Sequence, residues 1–529
     1  MGHTRWATHG EPSDINSHPH VGNKRNIAVV HNGIIENYKQ LKEYLQNKGV
    51  GFASETDSEV IAQLAEYYYN GDILETVIKV SNRLEGSYAL GIMFCDKPDL
   101  LVAVKKDNPL IIGVSKHGNF IASDIPAVLK HTNKVFYLED KEIVILYKER
   151  VEFYGIDGEP ITKTSEIISW SVDDAEKGGE PHFMLKEIKE QPKTLRDTIN
   201  SLIKDGENKK VLDNFNIIRY NKIVITACGS AYNAGFAAKY VFERLCRFPS
   251  VEVELASEFR YKDAVIDDKT LVILISQSGE TADTIAAMRE ARAKNAETLA
   301  IVNVVGSTIA KEADYCIYTA AGPEIAVATT KAFSAQLITL YILAVKFALQ
   351  LNKISPELGN SLMEEIVSVP EKTALILEQV DEIQKHSSAC VVYKSIFFIG
   401  RNIDYAIALE GSLKLKEISY IHSEAYAGGE LKHGTISLIE DGTLVVAIAN
   451  CKNLHSKIMS NVEQVASRGA KVIIVGNSPE SDIVLPDCNE LFSPSLSVIV
   501  LQLFGYYVAA NKGLDIDKPR NLAKSVTVE

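Results

Sequence analysis

The sequence has no Cys-x-x-Cys pair. Its seven cysteines, at 95, 228, 246, 316, 390, 451 and 488, are scattered, odd in number and set mostly among apolar neighbours. That usage argues against a disulfide framework and is expected of reduced core residues in a cytoplasmic protein. A basic block is missing as well. Sixty-nine acidic against 56 basic residues leave a formal net charge of −13, which argues against nucleic acid as the main partner. An anionic ligand then needs a local cradle of backbone N–H groups. The longest apolar runs, 337–351 and 496–510, are shorter than a bilayer span, and the first contains Lys346; both are expected to be buried helices, with no membrane partner. The N-terminal MGHTRWATHGEPSD is polar and lacks an apolar core, so no secretory leader is expected. Five histidines crowd residues 1–31 (3, 9, 18, 20 and 31), yet neither HExxH nor a Cys/His ligand spacing accompanies them. No metal is expected there.

What is present is ordinary globular composition, 46% apolar and 24% charged, over 529 residues, a length that suggests roughly three domains. Strand-like runs at 27–31, 88–94, 99–104, 110–114, 119–122 and 142–147, with helices over 57–70 and near 73–84, predict a layered α+β domain over residues 1–165. His31-Asn32-Gly33 closes the first run. There a glycine N–H and the Asn amide can form an oxyanion cradle, although Asn-Gly alone is more often a turn. Residues 166–192 are polar, punctuated by Gly and Pro, and read as a linker ending in a docking helix. From 193 the pattern alternates: KIVITA, a helix, TLVILI, a helix, TLAIVNV. Such consecutive βα units predict an α/β class with a doubly wound parallel sheet over 193–360. The unit recurs about 170 residues later in IFFIGRNIDYAIALEGSLKL and TLVVAIAN, predicting a sister sheet over 361–529.

The copies differ where chemistry would show. Ser276-Gln277-Ser278-Gly279 in the first corresponds to Ala449-Asn450-Cys451-Lys452 in the second, which has lost the hydroxyls and the glycine. Ser276, Ser278 and Thr281 lie between a strand end and a helix start, where free N–H groups and the helix dipole favour a phosphate. With neither GxxxxGK[ST] nor GxGxxG present, a small monophosphate is expected rather than a nucleotide. A simple helix cap with surplus serines remains the alternative. Val327-Ala328-Thr329-Thr330-Lys331 is a second polar elbow ahead of an apolar helix. In the sister copy, Lys414 and Glu417 are three apart on one helix face, and Glu430-Leu431-Lys432-His433-Gly434 follows as a tight loop. A carboxylate, an amine and an imidazole that converge can transfer protons; the plainer alternative is a solvated helix edge. Lys524, in the polar tail KPRNLAKSVTVE, gains meaning only if that tail folds over the cradle and makes it a Schiff-base amine.

SQSGETADT (276–284), VATTKAF (327–333), ALEGSLKLKEISYIHSEAYAGGELKHG (408–434) and PRNLAKSVTVE (519–529) together resemble the glutamine–fructose-6-phosphate aminotransferase (isomerizing) family. HTRWATHGEPS (3–13), HNGIIEN (31–37) and SETDSEVIA (54–62) resemble its glutaminase domain, of the class II amidotransferase type. The resemblance implies two sugar-isomerase (SIS) domains behind a layered glutaminase domain. It implies formation of glucosamine 6-phosphate from fructose 6-phosphate and glutamine-derived ammonia, a step of amino-sugar biosynthesis, in a homodimer without cofactor. Carried over by position, Ser230, Ser276, Gln277, Ser278 and Thr281 would hold the sugar phosphate, with Val327, Thr329 and Ala523 lining the sugar. Lys524 would form an imine at C2, Glu417 would move the proton between C1 and C2, and Lys414 would assist at O1. His433 would open the ring from a neighbouring subunit. Arg5, Thr8, His9, Asn32, Gly33 and Asp57 resemble glutamine-site positions, and Trp6 the gate of an ammonia channel.

The family begins with a catalytic cysteine well upstream of HTRWATHG, whereas here Met1 stands two residues before that motif. The resemblance therefore leads us to expect an incomplete version of an ordinary synthase, with an inactive glutaminase half and a destabilised layered domain. An ammonia-dependent synthase, a hexose-phosphate isomerase and a non-catalytic SIS sugar-phosphate sensor are the alternatives.

Overall fold

In GSYALGIMF, small residues alternate with large ones, so the strand Gly86–Phe94 can bury both faces. It pairs antiparallel with Ile27–Ile35 along its whole length, from Ile27 opposite Phe94 to Ile35 opposite Gly86. The computed structural model describes residues 1–4, 9–168 and 177–526, which divide into a unit of residues 1–168 with 525–526 and a unit of residues 177–524.

In the first unit these two strands sit within a seven-stranded sheet. Its order is His20–Val21, Ile27–Ile35, Gly86–Phe94, Leu100–Lys106, Ile143–Tyr147, Val151–Tyr154, Pro160–Ile161, every neighbour antiparallel. Leu90 and Ile92 pack against Leu41, Leu45, Val60, Ile61 and Leu64 of the helices Tyr38–Gln46 and Glu59–Tyr68. Ala89 and Ala103 face the other way, toward Leu110, Ile112 and Leu138. Ile112 belongs to a four-stranded sheet that also contains Glu166–Ile167, Lys134–Tyr137 and Gly118–Ala122. The expected layered α+β architecture is therefore present. Two readings need correction. The strand does not close at Asn32-Gly33 but runs on to Ile35, because the partner strand continues to pair with it. The helix Tyr38–Gln46 was not expected, although Tyr38, Leu41 and Leu45 carry its apolar stripe.

The second unit holds two five-stranded parallel sheets. The first runs Ser250–Leu255, Lys222–Ala227, Thr270–Ser276, Glu297–Val302, Tyr315–Tyr318. The second runs His422–Ala427, Ser395–Gly400, Leu444–Ala449, Lys471–Gly476, Ile483–Val484. Each places its second strand at one edge and its first beside the third, so the sequence repeat is a repeat of topology. One hydrophobic core extends through both sheets. At its centre lie Lys331–Gln350 and Pro494–Asn511, long and apolar enough to cross a membrane yet 89% and 83% buried within the fold. Core helices of this kind are expected between two apolar sheets. The docking helix Phe183–Lys189 buries Met184, Leu185 and Ile188 in the same core, and the segment between it and the first unit lies partly outside the described residues.

Candidate active site

A parallel sheet brings the carboxyl ends of its strands and the amino ends of the following helices to one edge, where unpaired N–H groups favour an anion. In the first sheet this edge joins Thr270–Ser276 to the helix Ala282–Ala293. The loop between them is folded on its own hydroxyls. Ser276 Oγ accepts from the Gly279 N–H and lies beside Thr281 Oγ1, both at 3.0 Å, and Ser278 Oγ accepts from the Glu280 N–H at 3.1 Å. Glu280 braces the loop by accepting from the N–H and the hydroxyl of Thr308, each at 2.8 Å. Gly279 has φ +68°, and a Cβ there would stand 2.0 Å from Ser307 Oγ. Only glycine closes this loop. Ser276, Gln277, Ser278 and Thr281 thus share one short turn.

Ser230 opens the neighbouring helix Gly229–Cys246, and its hydroxyl donates to Glu410 Oε1 at 2.9 Å, while Asn233 Nδ2 donates to Glu410 Oε2 at 2.8 Å. Glu410 belongs to the sister helix Ile403–Ser419, on which Glu410, Lys414 and Glu417 follow one another at spacings of four and three. Those spacings put all three on one face. Lys414 Nζ is 2.6 Å from Glu417 Oε2 and 3.5 Å from Glu410 Oε1. Glu410 and Lys414 are fully buried, whereas the Glu417 side chain keeps 21% of its surface. Burial opposes the Lys414 charge, but the two carboxylates outweigh it and hold the ammonium above its usual range. Burial raises the Glu410 carboxyl, against the pull of Lys414. Sequence reading named Ser230, Lys414 and Glu417 but missed Glu410; its position four residues before Lys414 was the available signal.

Residues 517–524 are tied down by named contacts. Asp517 accepts from the Phe183 and Met184 N–H groups at 2.9 and 3.0 Å, and its carbonyl accepts from Val327 at 3.1 Å. The Arg520 N–H donates to the Tyr420 hydroxyl at 2.8 Å and its guanidinium lies over that ring. These contacts carry Ala523 and Lys524 to the elbow that holds Val327 and Thr329. Lys524 Nζ donates to Glu324 Oε2 at 2.5 Å. The other oxygen of Glu324 accepts from the Thr330 and Ala332 N–H groups, at 2.9 and 3.0 Å, where the helix Lys331–Gln350 begins. Burial opposes the Glu324 charge, but Lys524 and these donors hold its carboxyl below the usual range. The Glu324 charge also helps hold the Lys414 ammonium above its usual range.

Glu187, from the docking helix, lies beside this pair. Its Oε1 accepts from Ile325 and Ala326 at 2.6 and 3.1 Å, and its Oε2 has no partner among the described residues. Burial, aided by the Glu324 charge, pushes its carboxyl from the ordinary 4.5 up to about 8. Between these values the native state keeps a proton that the unfolded chain releases, so stability falls as pH rises through that window. The Glu187→Gln variant, neutral at every pH, is expected to melt near the wild-type temperature at pH 5 and above it at pH 9. An equal difference at both pH values would show that the carboxyl is unperturbed. Glu187 and Glu324 were not named from sequence, since neither belongs to a local motif.

In the first unit, His9 Nδ1 lies 3.8 Å from Asp57 Oδ1, and Asp57 Oδ2 accepts from the Ile35 N–H at 2.8 Å. The Asn32 carbonyl accepts from Asn108 Nδ2 at 2.6 Å, and Gly33 has φ +139°, where the Ser87 carbonyl would touch any Cβ at 2.1 Å. His9 and Asp57 thus meet at the Ile35 end of the strand, with Asn32 and Gly33 inside it three and two residues back. Arg5, Trp6 and Thr8 lie outside the described residues. His433 is exposed on the single turn Glu430–His433 and shares no hydrogen bond with Lys414, Glu417 or Lys524 among the described residues. The same residues contain no cluster of His, Cys, Asp or Glu able to hold a metal ion.

The SIS domain family matches residues 216–346 and 392–512, and the glutamine amidotransferase domain family matches residues 3–130. The chain is 53% identical to a glutamine–fructose-6-phosphate aminotransferase (isomerizing) of Clostridium acetobutylicum, with 100% of this chain and 89% of that one covered. It is 47% identical to the protein of the same name from Aquifex aeolicus, with 100% and 88% covered. Among solved structures, the C-terminal domain of glucosamine-fructose-6-phosphate aminotransferase from Francisella tularensis superposes with a TM-score of 0.61 at 38% identity, over 65% of this chain and all of that one. Glucosamine-6-phosphate deaminase from Thermotoga maritima gives 0.53 at 27% identity, over 66% and 100%.

Proposed function

Because the chain belongs to the glutamine–fructose-6-phosphate aminotransferase (isomerizing) family and is an enzyme, we propose that its second unit makes glucosamine 6-phosphate from fructose 6-phosphate and ammonia as follows. The loop of Ser276, Gln277, Ser278 and Thr281 holds the phosphate, and Val327, Thr329 and Ala523 border the sugar. Lys524 attacks C2 of the open-chain ketose and water leaves as the imine forms; ammonia then displaces the lysine. Glu417 takes the C1 proton and returns it to C2, while Lys414 assists at O1. One ammonia enters and one water leaves, and oxidation of C1 to the aldehyde level balances reduction at C2, so no cofactor or external oxidant is needed.

The observation that carries this reading is the Lys524–Glu324 contact. An imine-forming amine must be held at the sugar carbonyl, and the Glu324 carboxylate, itself fixed by two N–H donors, anchors Lys524 beside the Val327–Thr329 elbow. A sugar-phosphate sensor would need the hydroxyl loop but neither Lys524 nor Glu417. His433 serves the ring-opening step from a second copy of the chain; its exposure on the turn Glu430–His433 supports that homodimer. All seven cysteines are unpaired, which supports a reducing, cytoplasmic compartment.

Cys95, the single cysteine of residues 1–168, follows the end of Gly86–Phe94. Strand register places Gly33 opposite Tyr88 and Ile27 opposite Phe94, so Cys95 stands about 20 Å from Asn32 and Gly33. It cannot act as a nucleophile there. A polypeptide of these 529 residues is therefore expected to form glucosamine 6-phosphate from fructose 6-phosphate with ammonium and not with glutamine. Product from neither nitrogen source would remove the reading.

A further inference from the structure

The loops that end the two sister sheets also differ in what their first N–H groups meet. After Thr270–Ser276, the N–H groups of Gln277 and Ser278 donate to no acceptor among the described residues. After Leu444–Ala449, the N–H groups of Asn450 and Cys451 occupy the same two positions, and both donate to Asp404 Oδ2, at 2.9 and 3.1 Å. Asn450 Nδ2 adds a third bond, to Asp404 Oδ1 at 3.0 Å.

Asp404 is the fourth residue past the strand Ser395–Gly400, and the fourth past the equivalent strand Lys222–Ala227 is Ala231. The first copy therefore has a methyl group where the second has a carboxylate. Asp404, Asn450 and Cys451 are all buried, so no solvent ion competes for the place. Two adjacent backbone N–H groups and a side-chain amide converging on one carboxylate form the donor set that a phosphate oxygen would meet in such a loop.

We infer that Asp404 is an internal ligand: its carboxylate fills the oxyanion cradle of the second sheet, closing it to sugar phosphate. This rests on the reading that the equivalent loop of the first sheet takes the phosphate. The division of labour follows, with one half binding the anion and the other, its cradle shut, presenting Lys414 and Glu417. Asp404 sits in the first turn of the helix that carries those two residues. The internal contact thus ties the start of that helix to the Asn450–Cys451 loop.

Two measurements test the inference. The Asp404→Ala variant of the full chain lacks the carboxylate but keeps the donors, and acetate is the probe that restores a carboxylate of matching size. Its melting temperature is expected to rise in sodium acetate, relative to sodium chloride of equal ionic strength, by about 2 °C more than that of wild type. An equal response of both proteins to acetate would overturn the inference. Calorimetric titration of wild type with fructose 6-phosphate, which needs no variant to fold, is expected to give one site per chain; two sites would overturn it as well. Failure of the phosphate assignment to the first loop would look different. Wild type would then bind no fructose 6-phosphate, while Asp404→Ala would still respond to acetate.

Discussion

Replacing Lys524 with alanine is expected to lower glucosamine 6-phosphate formation by about 10³-fold or more, while fructose 6-phosphate still binds. The separation of the two effects follows from the fold. The phosphate loop is closed by its own hydroxyls and by the bonds of Glu280 to Thr308, and Lys524 takes part in none of them. Lys524→Arg is not expected to restore activity, because a guanidinium stays protonated and cannot form the imine. Losing the amine also leaves Glu324 buried without its partner, which costs about 3–5 kcal/mol when a buried charge is left uncompensated. A lower melting temperature of Lys524→Ala therefore does not by itself speak for chemistry. The double variant Lys524→Ala/Glu324→Gln removes that charge. It is expected to recover stability and to stay inactive; recovered activity would show that the lysine only neutralises Glu324.

The second large effect falls on proton transfer. Glu417→Gln is expected to reduce turnover by about 10²–10⁴-fold with little change in fructose 6-phosphate binding. The same variant should stop exchange of the C1 proton with deuterated solvent, which reports on the base before product forms. Stability should change little, since Glu417 is the partly exposed member of its group and Lys414 keeps Glu410 as a partner. Unimpaired proton exchange in Glu417→Gln would assign the base to another group.

Much of this was legible in the chain. Buried runs such as KIVITA and TLVILI, each followed by a polar turn and a helix, required parallel sheets, and their recurrence required two of them. The hydroxyl turn and the Lys414–Glu417 pair could be read because each is local: its members lie within a few residues on one element. What could not be read depends on contacts between distant segments. Glu324 meets Lys524 across 200 positions, Ser230 meets Glu410 across 180, and Glu187 reaches the backbone at Ile325 across 138. No periodicity carries such pairings. The Asn32-Gly33 dipeptide failed for a different reason: its local preference for a turn was overridden by nine consecutive pairings with Gly86–Phe94. Asp404 shows the converse. The sister loop's lost hydroxyls were visible in sequence, but the carboxylate that replaces a ligand there comes from another element.

Borohydride reduction of the full chain in the presence of fructose 6-phosphate, followed by peptide mass analysis, tests the lysine assignment most directly. An imine at C2 is expected to be trapped as a stable adduct of the reduced sugar phosphate on the peptide that carries Lys524. An adduct on Lys414, or none at all in protein that makes product from ammonium, would contradict it.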